Sequence, residues 1–305
     1  MRNFPWLQVF THIFRVGAVL GVYAALCIEV PAQSAKLTAS ENAIQQRIAR
    51  SGADVGVYFK TLDGTNEWNL RADDVFHAAS TMKVPVMIEL FRQVKEDKLK
   101  LEDKIPLQNQ FHSIVDGSVY ALNAADDSEA ELYKAEGQAR TLRELCELMI
   151  TASSNFATNL LIEKLGVENI RATVRALGAN GMNVLRGVED NKAYEKGLNN
   201  STTARGLGVL LEAIAKGTAV DAQSCTAMVT ILERQKFNQG IPAGLPAGIQ
   251  VAHKTGEITN IHHDAAIVFA GQPYILVILV RGLPEKKDSA ALMADISRSV
   301  YEATQ

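Results

Sequence analysis

Cysteine is scarce in this chain, with three among 305 residues, and no two of them stand at the C-x-x-C spacing of a metal or redox site. The six histidines include no H-E-x-x-H pair, so the spaced ligands of a zinc hydrolase are missing. No low-complexity tract, heptad run or fixed-period repeat occurs, which excludes disordered, fibrous and solenoid architectures. Basic charge is not in excess either: 31 Lys and Arg face 34 Asp and Glu, for a formal net charge of -3. A mildly acidic chain lacks the electrostatic footprint of a nucleic-acid binder.

Hydrophobic residues make up 47% of the chain and charged ones 21%, an ordinary globular balance, and the length suits one large domain or two closely packed ones. The first thirty residues differ from the rest. Arg2 and Arg15 precede an apolar run from Val16 to Cys27, and Glu29, Pro31 and the small residues Ala32, Ser34 and Ala35 follow. This is the pattern of an export leader, and its apolar run is shorter than the roughly 20 residues that span a bilayer. The expectation is a signal peptide over 1–34, cut after Ala32 or Ser34, leaving an exported periplasmic or extracellular protein without stable membrane insertion. Lipidation at Cys27 is disfavoured because Leu26, not a small residue, precedes it. Loss of Arg2, Arg15 and Glu29 removes a net +1 and takes the charge from -3 to -4. Cys146 and Cys225 then remain, on apolar helix faces that commonly bury a free thiol.

Strand-like patterning clusters at the two ends. Val55, Val57 and Phe59 alternate before an Asp63-Gly64 turn, and a second strand fits Asn66 to Leu70. Near the other end, strands fit Gln250 to Thr255, Ala265 to Phe269 and Tyr274 to Val280. Helices fit Ser40 to Arg50 and Ser289 to Tyr301, the latter with Leu292, Ile296 and Val300 on one face. Between the ends, residues 80–235 read as almost wholly helical, starting with a run from about Thr81 to Lys98 that is apolar on nearly every side and so belongs in a core. Thr141 and Glu144 form a capping-box pattern. The predicted fold is α+β: a mixed sheet of about five antiparallel strands built from 35–79 and 236–305 with terminal helices, and an inserted all-helical part over 80–235. The cleft between the two parts is the natural site.

Ser80 and Lys83 stand three residues apart, so on a helix both point into one volume. A serine hydroxyl is a poor nucleophile until a base takes its proton, and a lysine desolvated at a buried helix start can lose its charge and serve as that base. Taken alone the pair is equally a helix cap beside a surface lysine. Two further groups follow in order: Ser153-Ser154-Asn155 at a helix junction and Lys254-Thr255-Gly256 on a strand.

Together these resemble the S-x-x-K, S-D-N and K-T-G set of class A β-lactamases and penicillin-binding proteins. The similarity extends over Leu145 to Leu161 and essentially the whole chain after the leader. It implies that Ser80 attacks a lactam carbonyl, Lys83 helps deprotonate it, and Ser153 passes a proton to the departing nitrogen. It further implies that Asn155 holds the substrate amide and Lys83, that Lys254, Thr255 and Gly256 face the substrate carboxylate, and that the backbone N–H groups of Ser80 and Glu257 form the oxyanion hole. Deacylation needs a second base, and Glu189, in Arg186-Gly187-Val188-Glu189-Asp190, occupies the stretch where class A enzymes carry a water-activating glutamate. Its alternative is an exposed loop acid. The resemblance calls for no metal or organic cofactor and for a monomer acting on a small β-lactam.

Departures from the pattern are visible. Ser154 stands where the family has aspartate, Ala193 where an asparagine helps hold the water, with Asn191 a possible substitute, and Met87 faces Cys146 in place of a disulfide partner. The strand position that often bears a carboxylate-binding arginine carries His262, His263 and Asp264, read as a loop-to-strand segment lining the cleft rather than as a metal site or triad, since no G-x-S-x-G accompanies them. Tyr120 and Tyr133 are candidates for cleft walls or plain packing. The readings are therefore a β-lactam hydrolase working through a Ser80 acyl-enzyme, a D,D-peptidase or esterase on the same scaffold, and, from another class, a non-catalytic β-lactam or cell-wall sensor.

Overall fold

The computed structural model describes residues 36–305; the leader expected over 1–34 lies outside the described residues. Helix α1 covers 36–51 and leads into β1 (Asp54–Thr61) and β2 (Glu67–Leu70). The chain returns to the same sheet with β3 (Gln250–Ile258), β4 (Ile261–Phe269) and β5 (Tyr274–Arg281). The order is β2-β1-β5-β4-β3, antiparallel throughout, so the first and last segments of the chain pair side by side through Val57 and Ile278. Pairing between β5 and β1 is what closes the molecule around everything inserted between its ends.

Alternation along the central strand sorts the core. Ile275, Val277 and Leu279 of β5 join Tyr58, Ala265 and Ile267 in one cluster with the inserted helices. Tyr274, Leu276, Ile278 and Val280 face the other way, onto Ile44 and Ile48 of α1 and Leu292, Ile296 and Val300 of the closing helix α8 (Lys286–Thr304). A strand covered on both faces has no polar face to show, which is why Tyr274–Arg281 reads as a nearly continuous apolar run.

In the inserted part, α2 (Lys83–Lys95) is the central helix, with Val84, Val86, Met87, Ile88 and Leu90 fully buried. Around it stand α3 (Leu142–Thr151), α4 (Asn155–Leu165), α5 (Val167–Ala176) and α7 (Ala222–Glu233), while α6 (Ala204–Ala215) packs on the sheet. The Thr141–Glu144 capping box starts α3, and Thr203 and Asp221 cap α6 and α7. No helix among the described residues is long and apolar enough to cross a membrane.

Two differences from the sequence reading matter for the site. The stretch 96–141 holds no α-helix: it forms short ribbons, such as Phe111–His112 with Val119–Tyr120, and 3-10 turns. Its order comes from aromatic packing, with Tyr133 4.7 Å and Phe111 6.2 Å from the Phe156 ring at the start of α4. Secondly, β4 begins at Ile261, because the ladder with β3 runs to the turn at Asn260. His262, His263 and Asp264 are therefore strand residues throughout, not a loop-to-strand segment; His262 and His263 do line the cleft, and Asp264 does not.

Among the described residues, the Tyr274 hydroxyl is the one buried side-chain polar atom without a hydrogen-bond partner. Its ring packs 5.5 Å from Phe59. An unpaired buried hydroxyl costs more than it contributes, so Tyr274→Phe should raise unfolding stability by about 1 kcal/mol in a urea titration. A loss of that size would mean that the hydroxyl has found a partner.

Candidate active site

Ser80 lies in a 3-10 turn, Ala79–Met82, that runs straight into α2. The turn is held tightly: Thr81 Oγ1 donates to Ala78 O at 2.6 Å, and Ala79 N donates to His77 Nδ1 at 3.0 Å. Ala79 itself adopts φ 45°, a region that L-residues avoid unless their surroundings impose it. Strand β3 passes alongside, and Gly256 allows its close approach: a Cβ on it would stand 3.2 Å from Ser80 N and 3.0 Å from Thr81 Cγ2. Lys83 follows on the first turn of α2 and is fully buried.

The Lys83 ammonium donates to Ser153 O at 2.6 Å, to Asn155 Oδ1 at 2.9 Å and to Ser153 Oγ at 3.2 Å. Lys254, also fully buried, donates to the same Ser153 Oγ at 3.1 Å and to Thr255 O at 2.8 Å. Two fully buried amines on one hydroxyl cannot both keep a proton cheaply. Burial brings Lys83 down from 10.5 to about 7, although the nearby charges of Asp127 and Glu189 pull the other way. Burial, and then the charge of Lys83, hold Lys254 well below 10.5. With both amines donating to it, the Ser153 hydroxyl is left to aim its own proton elsewhere.

Glu189 is drawn into the same group. Asn155 Nδ2 donates to Glu189 Oε1 at 2.6 Å, so one side-chain amide links the carboxylate to the Lys83 ammonium. Glu189 is not the exposed loop acid of the alternative reading: burial raises its pKa above the ordinary carboxylate value, and its backbone is held at φ 61°. The preceding residue is clamped by Asn159, which accepts from Val188 N at 2.7 Å and donates to Val188 O at 3.0 Å. Gly187 lets this approach happen, since a Cβ there would lie 2.7 Å from Asn159 Oδ1.

Several other residues are accounted for. Ala193 is fully buried and donates its N–H to Asp190, leaving no side chain for a water at that position, whereas Asn191 lines the cavity beside Glu189. His263 is a structural residue: its Nδ1 accepts from Val280 N at 3.1 Å, its Nε2 donates to His77 O at 2.9 Å, and burial lowers its pKa to about 4. His262 meets Ser289 Oγ at 2.9 Å. Asp264 meets His253 Nδ1 at 2.8 Å and accepts from Ile241 N at 2.9 Å behind the Lys254 strand. Tyr120 and Tyr133 brace rather than wall the cleft, the first at Val188 O and the second at Asp127. Cys146 and Cys225 are buried and unpaired. Among the described residues no group of three or more His, Cys, Asp or Glu side chains could hold a metal ion.

Asp127 was not visible as a site residue in the sequence. It is buried, and its Oδ2 accepts from Asn155 N at 2.9 Å and Phe156 N at 2.8 Å, at the start of the helix that carries Asn155. A carboxylate that arrives from 28 residues away leaves no local spacing to read.

Ser80 sits where two cavities meet. One, of about 670 Å3, runs past Ser153, Thr255, Gly256 and Glu257; the other, of about 640 Å3, runs past Glu189 and Asn191. Ser80, Asn155 and Glu257 line both. The cleft is thus a trough with a hydroxyl at its middle, a proton-handling cluster on one wall and the β3 edge on the other.

Comparison with known proteins agrees with this geometry. The chain is 25% identical over 279 residues to beta-lactamase ROB-1 of Haemophilus influenzae, an alignment covering 88% of this chain and 87% of that one. Among solved structures, the beta-lactamase of Sphaerobacter thermophilus superposes with a TM-score of 0.73 at 27% identity, covering 86% of this chain and 96% of that one. PBP-A superposes with a TM-score of 0.74 at 29% identity, covering 88% and 96%. Residues 39–304 match the beta-lactamase enzyme family, and the chain belongs to it.

Proposed function

We propose that the protein hydrolyses β-lactams through an acyl-enzyme on Ser80. The observation that carries this reading is the Ser153 hydroxyl held between two buried amines, 3.2 Å from Lys83 Nζ and 3.1 Å from Lys254 Nζ, beside Ser80 in an open trough. In the reaction Ser80 Oγ attacks the lactam carbonyl and its proton passes to the neutral amine of Lys83. Ser153 protonates the departing nitrogen and is itself reprotonated from the lysines around it. The backbone N–H groups of Ser80 and Glu257 receive the oxyanion. Asn155 holds the substrate's amide, and Lys254, Thr255 and Gly256 receive its carboxylate.

Glu189 then activates water for deacylation. Its raised pKa suits a base that must accept a proton near neutrality, and Asn155 positions it. A hydrolase split into a sheet unit (35–79 with 236–305) and a helical unit (80–235) offers this trough between its two halves. The leader composition supports export to the periplasm or the exterior, where β-lactam hydrolysis confers antibiotic resistance, and the trough is complete within one chain, consistent with a monomer.

A second reading draws on the likeness to PBP-A and on Ala193, which offers the hydrolytic water no side-chain partner. A penicillin-binding D,D-peptidase would acylate in the same way and hold its adduct.

Intact-mass spectrometry with a penicillin separates the readings. Wild-type protein should show a transient adduct and hydrolysed penicillin, and Ser80→Ala none; Glu189→Gln should slow release by about 100-fold or more and trap the adduct. No adduct on the wild-type protein refutes the serine mechanism, and an adduct that outlasts hours favours the peptidase.

The pH profile has a definite sign. Lys83 acts when neutral and Glu189 when ionised, so kcat/KM should rise with pH through neutrality, with an acid limb above the ordinary carboxylate range. Stopped-flow acylation by Glu189→Gln should show that limb moved to lower pH, because the charge that raises Lys83 is gone. A limb in the ordinary carboxylate range for the wild-type protein contradicts this.

A further inference from the structure

The junction between α3 and α4 delivers Ser153 and Asn155, and its backbone is strained, with Ser153 at φ 60°. Something must hold the start of α4 in place. In the resemblance described above, that work falls to an aspartate within the S-D-N motif, where this chain has Ser154. Ser154 caps only part of the helix end: its Oγ accepts from Ala157 N at 3.2 Å. The free N–H groups of Asn155 and Phe156 are taken instead by Asp127, at 2.9 and 2.8 Å. The same oxygen accepts from the Tyr133 hydroxyl at 2.9 Å and from Ser154 Oγ at 3.3 Å, while Oδ1 accepts from Glu129 N at 2.9 Å.

From this geometry we infer that Asp127 is the positioning residue of the active site, a carboxylate transposed 27 residues upstream of the motif that usually carries it. A full negative charge on two backbone N–H groups at a helix start makes short, charge-assisted bonds that a serine cannot equal. Asn155, the first residue of α4, is thereby fixed, and through its side chain so are Lys83 at 2.9 Å and Glu189 at 2.6 Å. The charge of Asp127 also helps Lys83 retain a proton against burial.

The source of the carboxylate gives it a second consequence. Asp126 and Ser128, its two neighbours, line the cleft, so the wall that meets the substrate is bolted to the helix that holds the bases. Tyr133 adds a second tie, since its ring lies 4.7 Å from Phe156 while its hydroxyl bonds Asp127.

This inference rests on Ser80, Lys83 and Ser153 being the reaction centre, and a carboxylate swap tests the two separately. Asp127→Ala should lower kcat by about 100-fold with KM changed far less, the size expected when a reacting group moves by about 1 Å. Ser154→Asp in that background returns a carboxylate to the helix start and should recover at least about ten-fold of kcat together with the melting temperature. Asp127→Asn, of nearly equal shape, should fold and lose kcat in the same sense.

Recovery of the melting temperature without kcat would make Asp127 merely structural and overturn the inference. So would an Asp127→Asn enzyme within about three-fold of wild type, or failure of Ser154→Asp to restore either property. If the wild-type protein neither binds nor turns over a penicillin, the reaction-centre reading fails, and failure of the swap to restore the melting temperature then overturns the Asp127 bracing on its own.

Discussion

Two buried lysines meet on one serine hydroxyl, and most of what is distinctive in this protein follows from the electrostatics of that meeting. Lys83 and Lys254 are fully buried, and each donates to Ser153 Oγ. In water two ammonium groups at this spacing would repel mildly; with both lysines fully buried, the repulsion and the desolvation of each are larger, and both pKa values fall. Burial thus brings Lys83 down to about 7 and holds Lys254 well below 10.5, so neither amine keeps its proton as firmly as in water. Glu189, Asp127 and Asp264 supply the counter-charge that keeps the cluster from emptying further.

Such a cluster cannot be built from one stretch of chain. Lys83 comes from the start of the central helix, Ser153 from a helix junction and Lys254 from the edge strand of a sheet whose other half is made near the N-terminus. One continuous core serves this arrangement. The sheet's inner face fixes β3 against the Ser80 turn, and the buried sides of α2 fix Lys83 against α4. Strain gathers at the same place: of six non-glycine residues with positive φ among the described residues, Ala79, Ser153 and Glu189 are in or beside the cluster. Packing holds those angles, and the site inherits its rigidity from the packing.

What could be read from the sequence followed the range of the physics involved. Local rules sufficed for β5, with its double-sided apolar run, for α2, apolar all round, and for the Thr141 capping box. Ser80, Lys83, Ser153 and Lys254 could be named because their spacings match a known set, although nothing local says that residues 83, 153 and 254 touch. The stretch 96–141 fell inside a broad helical reading of 80–235 in which no individual helix was assigned to it beyond Lys98; part of its order comes from distant aromatic contacts with Phe156, which leave no local pattern. His262, His263 and Asp264, read as a loop-to-strand segment, are strand throughout because the ladder with β3, not their own propensity, extends the strand to Ile261, while the place of the two histidines along the cleft was legible. Asp127 gave no signal because a carboxylate's partner 28 residues away leaves no period or motif.

The proton balance between the two lysines is the centre of this account, and it can be observed directly. In protein labelled with 15N at lysine Nζ and assigned through Lys83→Arg and Lys254→Arg, the Lys83 resonance should titrate at about 7, well below the ordinary lysine value of 10.5. A Lys83 ammonium that keeps its proton beyond pH 10 would contradict it.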